Sequence, residues 1–164
     1  MKSTLKFLTI ATILISLSAC KKGKDGEPGK DGSANVTAHT FSVPNWKNNS
    51  VKWYNDFPIS ELTTDNINSA SIQVYWGVNN NTWTSLPYTY VSSVDYFMGF
   101  VSTVGTVQVT WIYNGVGIGS DPNSSLGGTV QIKIVIIPPS ARIRNPNTNF
   151  NDYNEVKKAY NLKD

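Results

Sequence analysis

The sequence predicts a mainly β protein, an antiparallel sandwich over residues 35–164 with one short C-terminal helix. Three observations carry this. Apolar and polar residues alternate with period two in segment after segment, as strands with one buried face require. Charged residues make up 15% of the chain and aromatics 12%, whereas an average domain is about a quarter charged; this suits strands with neutral polar outer faces better than surface helices. Turn signals at Asn79-Asn80-Asn81, Ser92-Ser93 and Gly105 separate the apolar runs. Seven or eight short strands so spaced fit a sandwich of immunoglobulin-like general architecture, and 164 residues give room for one domain with its own core.

The first element precedes that domain. Residues 1–20 read MKSTLKFLTIATILISLSAC, with Lys2 and Lys6 as a short positive segment and residues 7–17 as an apolar run. That run is too short to cross a bilayer of about 30 Å as a helix, but it suits the apolar region of a signal peptide over residues 1–19. It ends in Leu17-Ser18-Ala19-Cys20, which resembles the lipobox of bacterial lipoproteins. The resemblance implies cleavage before Cys20, a lipid on its thiol and an acylated new N-terminus. At roughly 0.8 kcal/mol per buried methylene, several such chains anchor a small domain without a membrane helix. Glycines at 23, 26, 29 and 32 then set out four collagen-like triplets. Glycine at every third residue is what a triple helix needs at its axis, yet four triplets with one proline offer few interchain bonds. Residues 20–34 are therefore expected to be a flexible tether, reaching up to about 45 Å at ~3.1 Å per residue.

Strands are expected at 36–43, 51–54, 71–76, 83–86, 88–91, 96–101, 107–113 and 130–137. Ile72, Val74 and Trp76 alternate with Ser71, Gln73 and Tyr75, and Val107, Val109 and Trp111 alternate with Gln108, Thr110 and Ile112. In the last strand, Val130, Ile132, Ile134 and Ile136 form one apolar face, while Val135 and Ile137 make the other face apolar too. Such a strand belongs in the middle of a sheet, covered on both sides. Pro138-Pro139 and Asn145-Pro146 then impose irregular chain. Asp152, with Glu155 three residues on, has the form of a capping box. Tyr153, Val156 and Tyr160 share one helix face, and Lys157 and Lys158 complement the C-terminal end of the dipole. One apolar stripe means that this helix packs against the sandwich, closing an open end.

Charge and residue type exclude several chemistries. From Asn35 onward there are eight Lys/Arg and eight Asp/Glu, so the domain lacks the basic footprint of a nucleic-acid partner. Cys20 is the sole cysteine and His39 the sole histidine, which leaves no zinc set, and no cofactor is expected. His39 could serve a triad only as its base; in its Thr/Ala/Thr setting it reads as a strand-edge histidine. Asp56, Glu61, Asp65, Asp95 and Asp121 are the candidates for a glycosidase-type acid pair. Asp56, Glu61, Asp65 and Asp121 adjoin turn-forming residues, where carboxylates ordinarily cap and brace turns, and Asp95 stands at a strand start. Asp121-Pro122-Asn123 is the best place for loop-bound calcium, without the dense spacing of a calcium loop. Gly115-Val116-Gly117-Ile118-Gly119 has a dinucleotide look but no βαβ setting. No catalytic residue and no metal ligand is assigned.

Aromatics are the suggestive feature. Trp46 and Trp83 sit beside Asn-rich turns, where exposed rings with hydrogen-bonding rims would suit sugar rings; the plainer expectation is that Trp46, Trp53, Trp76, Trp83 and Trp111 fill the core and pair across strands. Lipobox, charged Gly-x-y stretch, neutral aromatic β domain and C-terminal helix together resemble the small lipoproteins of the Bacteroidetes kind. That resemblance implies a lipid-anchored protein of the bacterial cell envelope, at the outer membrane on its periplasmic or surface face, and supplies no active-site residue. The charged residues after Cys20 also resemble the surface-export signals of such proteins, with Lys where the acidic form has Asp or Glu. The expected role is non-enzymatic, a binding or envelope-assembly function with a protein or glycan partner. A carbohydrate-binding module of a glycan-uptake system is the alternative, and a carboxylate-dependent hydrolase a weaker one.

Overall fold

A computed structural model describes residues 35–78, 82–91, 95–115 and 117–163. The expected signal peptide, the expected lipid-bearing Cys20, the 20–34 tether and the turns expected at Asn79-Asn80-Asn81 and Ser92-Ser93 lie outside the described residues. The strands are β1 Thr37–Val43, β2 Lys47–Asn48, β3 Trp53–Pro58, β4 Ser71–Val78, β5 Thr84–Ser85, β6 Tyr88–Tyr90, β7 Tyr96–Thr103, β8 Thr106–Tyr113 and β9 Val130–Ile137. They form two antiparallel sheets, ordered β1-β9-β4-β5 and β2-β3-β8-β7-β6.

Alternation decides the packing. Val74 and Trp76 of β4, with Ile132, Ile134 and Ile136 of β9, meet Val107, Val109 and Trp111 of β8 and Met98 of β7 in one core shared by the two sheets. β9 lies between β1 and β4, and its other face, with Tyr75 of β4, is buried as well. Val135, Ile137 and Tyr75 pack there against Ala141, Tyr153, Val156 and Tyr160 in a second cluster. The expectation of a central strand covered on both sides therefore holds.

Four helices stand among the described residues, α1 Thr64–Ser69, α2 Pro122–Leu126, α3 Pro139–Arg144 and α4 Tyr153–Tyr160. The domain is β-dominant but mixed, which corrects the single-helix expectation. The three unexpected helices have five or six residues each, too few for a readable apolar period, and their start signals look like turns. Thr63 caps α1 by accepting from the Asn66 amide, and Asp121 caps α2 by accepting from those of Asn123 and Ser124. Pro139 opens α3, at the position where its missing N–H costs nothing. α4 is as expected, capped by Asp152 with Tyr153, Val156 and Tyr160 buried. Two details differ. Glu155 accepts from the Asn149 amide rather than from the cap residue, and α4 covers a sheet face instead of closing an end. Five-stranded sheet, four-stranded sheet and the α3–α4 layer thus stack in that order.

β3 begins at Trp53 and runs on to Pro58, past the stop expected at residue 54. Asn-Asp and Pro read as breakers, but Asp56 points outward beside Gln108 and Pro58 ends the strand, where no further ladder bond is needed. The β7–β8 hairpin turns at Gly105 with φ +76°, the left-handed backbone that glycine accepts without strain.

Candidate functional site

The face of the four-stranded sheet that points away from the shared core is roofed by α3 and α4. No such layer covers the corresponding face of the five-stranded sheet among the described residues. Because side chains alternate, Val107, Val109 and Trp111 point inward, so Gln108, Thr110 and Ile112 must point out. The same rule turns Tyr54 and Asp56 of β3, and Phe97, Gly99 and Val101 of β7, onto this outer face. Cross-strand pairing sets Phe97 beside Ile112, Gly99 beside Thr110 and then Tyr54, and Val101 beside Gln108 and then Asp56.

One half of this face is apolar. Phe97 is 42% exposed, Val101 60% and Ile112 37%; Phe97 and Ile112 are cross-strand neighbours and Val101 follows on β7 beyond Gly99, at positions that a fully solvated sheet face would carry as polar residues. Phe97 lies over Gly99, where an added Cβ would come within 2.7 Å of the ring. Glycine here lets the ring lie low against the sheet.

The other half is a polar network. Gln108 donates from Nε2 to Asp56 Oδ1 at 2.7 Å, and Lys47 Nζ donates to Oδ2 at 3.3 Å. Lys52 Nζ donates to Gln108 Oε1 at 2.8 Å. Both ammonium groups lie about 5.9 and 5.8 Å from the Tyr54 ring centroid. The Gln108 hydrogen bond above all, against a desolvation cost and helped by Lys47 and Lys52, holds the Asp56 carboxyl below its ordinary value. Asp56 is thus a charged strand residue in a network, not the turn brace expected from its neighbours.

The other sequence candidates take structural posts. His39, on edge strand β1, meets Glu61 Oε1 through Nε2 at 2.9 Å, while the Ser60 hydroxyl donates to Glu61 Oε2 at 2.9 Å. That hydroxyl bonds the carboxylate rather than the imidazole, so the three do not form a nucleophile–base pair. Burial opposes the charged form of Glu61, but its own backbone amide, Ser60 and His39 together hold its carboxyl below the ordinary value. Asp65 lies in the first turn of α1, and Asp95 directly precedes β7.

Asp121 and Asn123, the proposed calcium corner, are spent on the fold. Asp121 caps α2 through Oδ1, which accepts from the Asn123 and Ser124 amides, while Oδ2 accepts from the Ser124 hydroxyl. Asn123 donates to the carbonyls of Val43 and Pro44, and accepts from the Val130 amide and from Trp46 Nε1. No group of three or more His, Cys, Asp or Glu is placed to share a metal ion among the described residues. The glycine-rich loop leads into the five-residue α2 and not into a βαβ crossover.

Trp46 and Trp83 do not form a joint platform. Trp46 is 8% exposed and packs in the shared core, so the exposure expected from its Asn-rich neighbours is not what the fold gives it. Its ring Nε1 donates at 3.3 Å to Oδ1 of Asn123, a residue 77 positions away. Trp83 is half-buried against the second cluster, its ring 5.8 Å from that of Tyr153. The buried Lys133 places Nζ 4.5 Å from the Trp83 centroid and 4.3 Å from that of Tyr153, and donates to the Tyr153 hydroxyl at 2.9 Å. Trp76 and Trp111 are core residues, while half-buried Trp53 packs against the core and donates from Nε1 to the Gly119 carbonyl. The uncovered apolar strip escaped the sequence reading, although Tyr96-Phe97-Met98 and Trp111-Ile112 break the alternation by putting apolar residues on consecutive positions. No family model, curated protein or solved structure matches the chain.

Proposed function

We propose that this chain is a lipid-anchored, extracytoplasmic protein of the bacterial cell envelope, held at the outer membrane through Cys20, with a binding or assembly role rather than a catalytic one. The uncovered face of the five-stranded sheet is its partner surface. The observation that carries this is the exposure of the cross-strand pair Phe97 and Ile112, and of Val101 on the same face, beside the Asp56–Gln108–Lys47–Lys52 network. An exposed apolar half beside a paired polar half is what a protein interface offers, whereas a sugar ring is gripped by rings that line a groove. Lipobox and triplets support the anchor. Two antiparallel sheets that share one core support reading the β layers as a sandwich of immunoglobulin-like general architecture, with a helical layer added.

The test uses the full chain in cells of a lipoprotein-exporting bacterium, with a photo-reactive side chain in place of Val101. Irradiation should give a protein adduct of discrete mass. Adding Phe97→Glu and Ile112→Glu should remove most of it without changing the level of folded protein. An adduct that ignores both substitutions would place the contact elsewhere, and a carbohydrate adduct would replace this reading with glycan binding. Separately, Cys20→Ser should abolish lipid labelling and release the protein from membranes; continued labelling would refute the anchor.

A further inference from the structure

Charge is divided unevenly along the domain. Residues 35–137 hold three lysines and five Asp/Glu, while residues 138–164 hold five Lys/Arg and three Asp/Glu. The neutral total therefore hides a net-negative β part and a net-positive helical part. Two of the helical acids are occupied, Asp152 as the cap of α4 and Glu155 on the Asn149 amide.

Within that basic stretch stands the most exposed large apolar side chain described, Ile143, which is 76% accessible. It lies between Arg142 and Arg144 in the last turn of α3. Pro139 and Pro146 continue the apolar surface around a shallow depression of about 330 Å³ that Arg142 and Ser69 also line. An exposed isoleucine flanked by two arginines, within a net-positive stretch of chain, suits a boundary that is anionic outside and apolar just beneath.

Where the chain enters the domain points the same way. The first residue of β1, Thr37, pairs with Ile136 near the end of β9, and β9 passes through Pro138 directly into α3. Val36 packs against the cluster that contains Ile137 and Ala141. The chain leading back to Cys20 thus joins the domain at the helical layer, close to α3.

We propose that the α3–α4 layer docks on the surface of an anionic phospholipid bilayer, with Ile143 in the interface and Arg142 and Arg144 on lipid phosphates. This rests on the anchor reading above. Fifteen residues, 20–34, would keep the domain within about 45 Å of the bilayer, so docking is intramolecular and a modest surface suffices. Guanidinium groups match phosphate oxygens in pairs. Docking in this way turns the uncovered face of the five-stranded sheet away from the membrane, toward partners.

The test reconstitutes the lipidated full chain into vesicles. On the anchor reading Cys20 is occupied by lipid, so Ile143→Cys offers a single thiol for an environment-sensitive dye, and Val101→Cys gives a matched probe on the opposite layer. Mass spectrometry first establishes the lipid on Cys20. In vesicles containing phosphatidylglycerol, the dye at 143 should shift to the blue and be quenched by a lipid-borne quencher, while the dye at 101 stays aqueous. Both effects should fade in phosphatidylcholine alone or at about 1 M salt, where the Debye length is about 3 Å. Each arginine near such a surface contributes about fivefold, so Arg142→Gln with Arg144→Gln should lower the docked-to-free ratio roughly 25-fold; Lys47→Gln should leave it unchanged. A lipidated chain whose 143 probe is as aqueous as the 101 probe, or equally buried without anionic lipid, overturns the docking alone. A Cys20 without lipid overturns the anchor and the docking together.

Discussion

Val156 gives the sharpest measure of what the helical layer contributes. It is fully buried between α4 and the β4–β9 face, in the cluster with Tyr75, Val135 and Ile137. Val156→Ala removes two methyl groups, about 1.6 kcal/mol of transfer free energy at ~0.8 each. If the site does not collapse, a cavity of about 50 Å³ adds about 1.2 kcal/mol at ~24 cal/mol per Å³. Alanine returns about half a kcal/mol of helix propensity, leaving a loss of about 2 kcal/mol. Val156→Asp loses the same contacts and brings in a carboxylate without a designed partner, so the loss should rise to about 4 kcal/mol or more. Exposed Lys158 is the control, and Lys158→Ala should cost about half a kcal/mol or less. The assay is urea unfolding at equal slopes. With a slope near 2 kcal/mol per M, the Val156→Ala midpoint should fall by about 1 M. A Val156→Ala midpoint equal to the parent's would refute the reasoning, because α4 would then not be covering the sheet.

Asn123 ties four groups to one amide, and Asn123→Ala should cost about 2–4 kcal/mol; a thermal-unfolding loss below about 1 kcal/mol would mean that the corner is not shared. Asp56 and Glu61 both have folded pKa values below their ordinary ones, so their stabilisation is present above the unfolded values and is lost as pH falls through the folded ones. Urea midpoints should therefore drop on acidification below about pH 4.5, and Asp56→Asn with Glu61→Gln should flatten that drop. An unchanged pH slope in the double variant would assign the acid sensitivity to other carboxylates.

How much of this was legible in the sequence depends on how local the cause is. The central position of β9 could be read because Val135 and Ile137 show on their own that both faces are dry. α4 could be read because cap and stripe lie within nine residues. α1, α2 and α3 are shorter than two helical turns, and their caps are indistinguishable from turns until the tertiary structure is known. The fate of the tryptophans was not legible for the opposite reason. Trp46 packs in the shared core and donates to Asn123, and Trp83 lies against Lys133 and Tyr153, contacts that no window around an Asn-rich turn contains. Alternation identified the inward residues of β8, but whether its outward face is roofed depends on where remote helices settle. Phe97, Val101 and Ile112 therefore became a candidate surface only once α3 and α4 were seen to cover the other sheet.

Lys133 has a consequence for how the chain finds its pairing. In most half-buried strands, sliding by one residue exposes the apolar set and is rejected at once. VQIKIVII is buried on both faces along most of its length, so a one-residue slip of β9 against β1 and β4 would still bury isoleucine and valine. Gln131 and Lys133 are the residues that distinguish the two alignments. Both point to the helical side, where the ammonium group finds the Trp83 and Tyr153 rings and the Tyr153 hydroxyl. After a slip they would enter the apolar space between the sheets, where the cost of burying a cation is severe. Lys133, with Gln131, thus breaks the degeneracy of an otherwise ambiguous strand, and the aromatic cluster around the ammonium group marks the one alignment in which the domain closes.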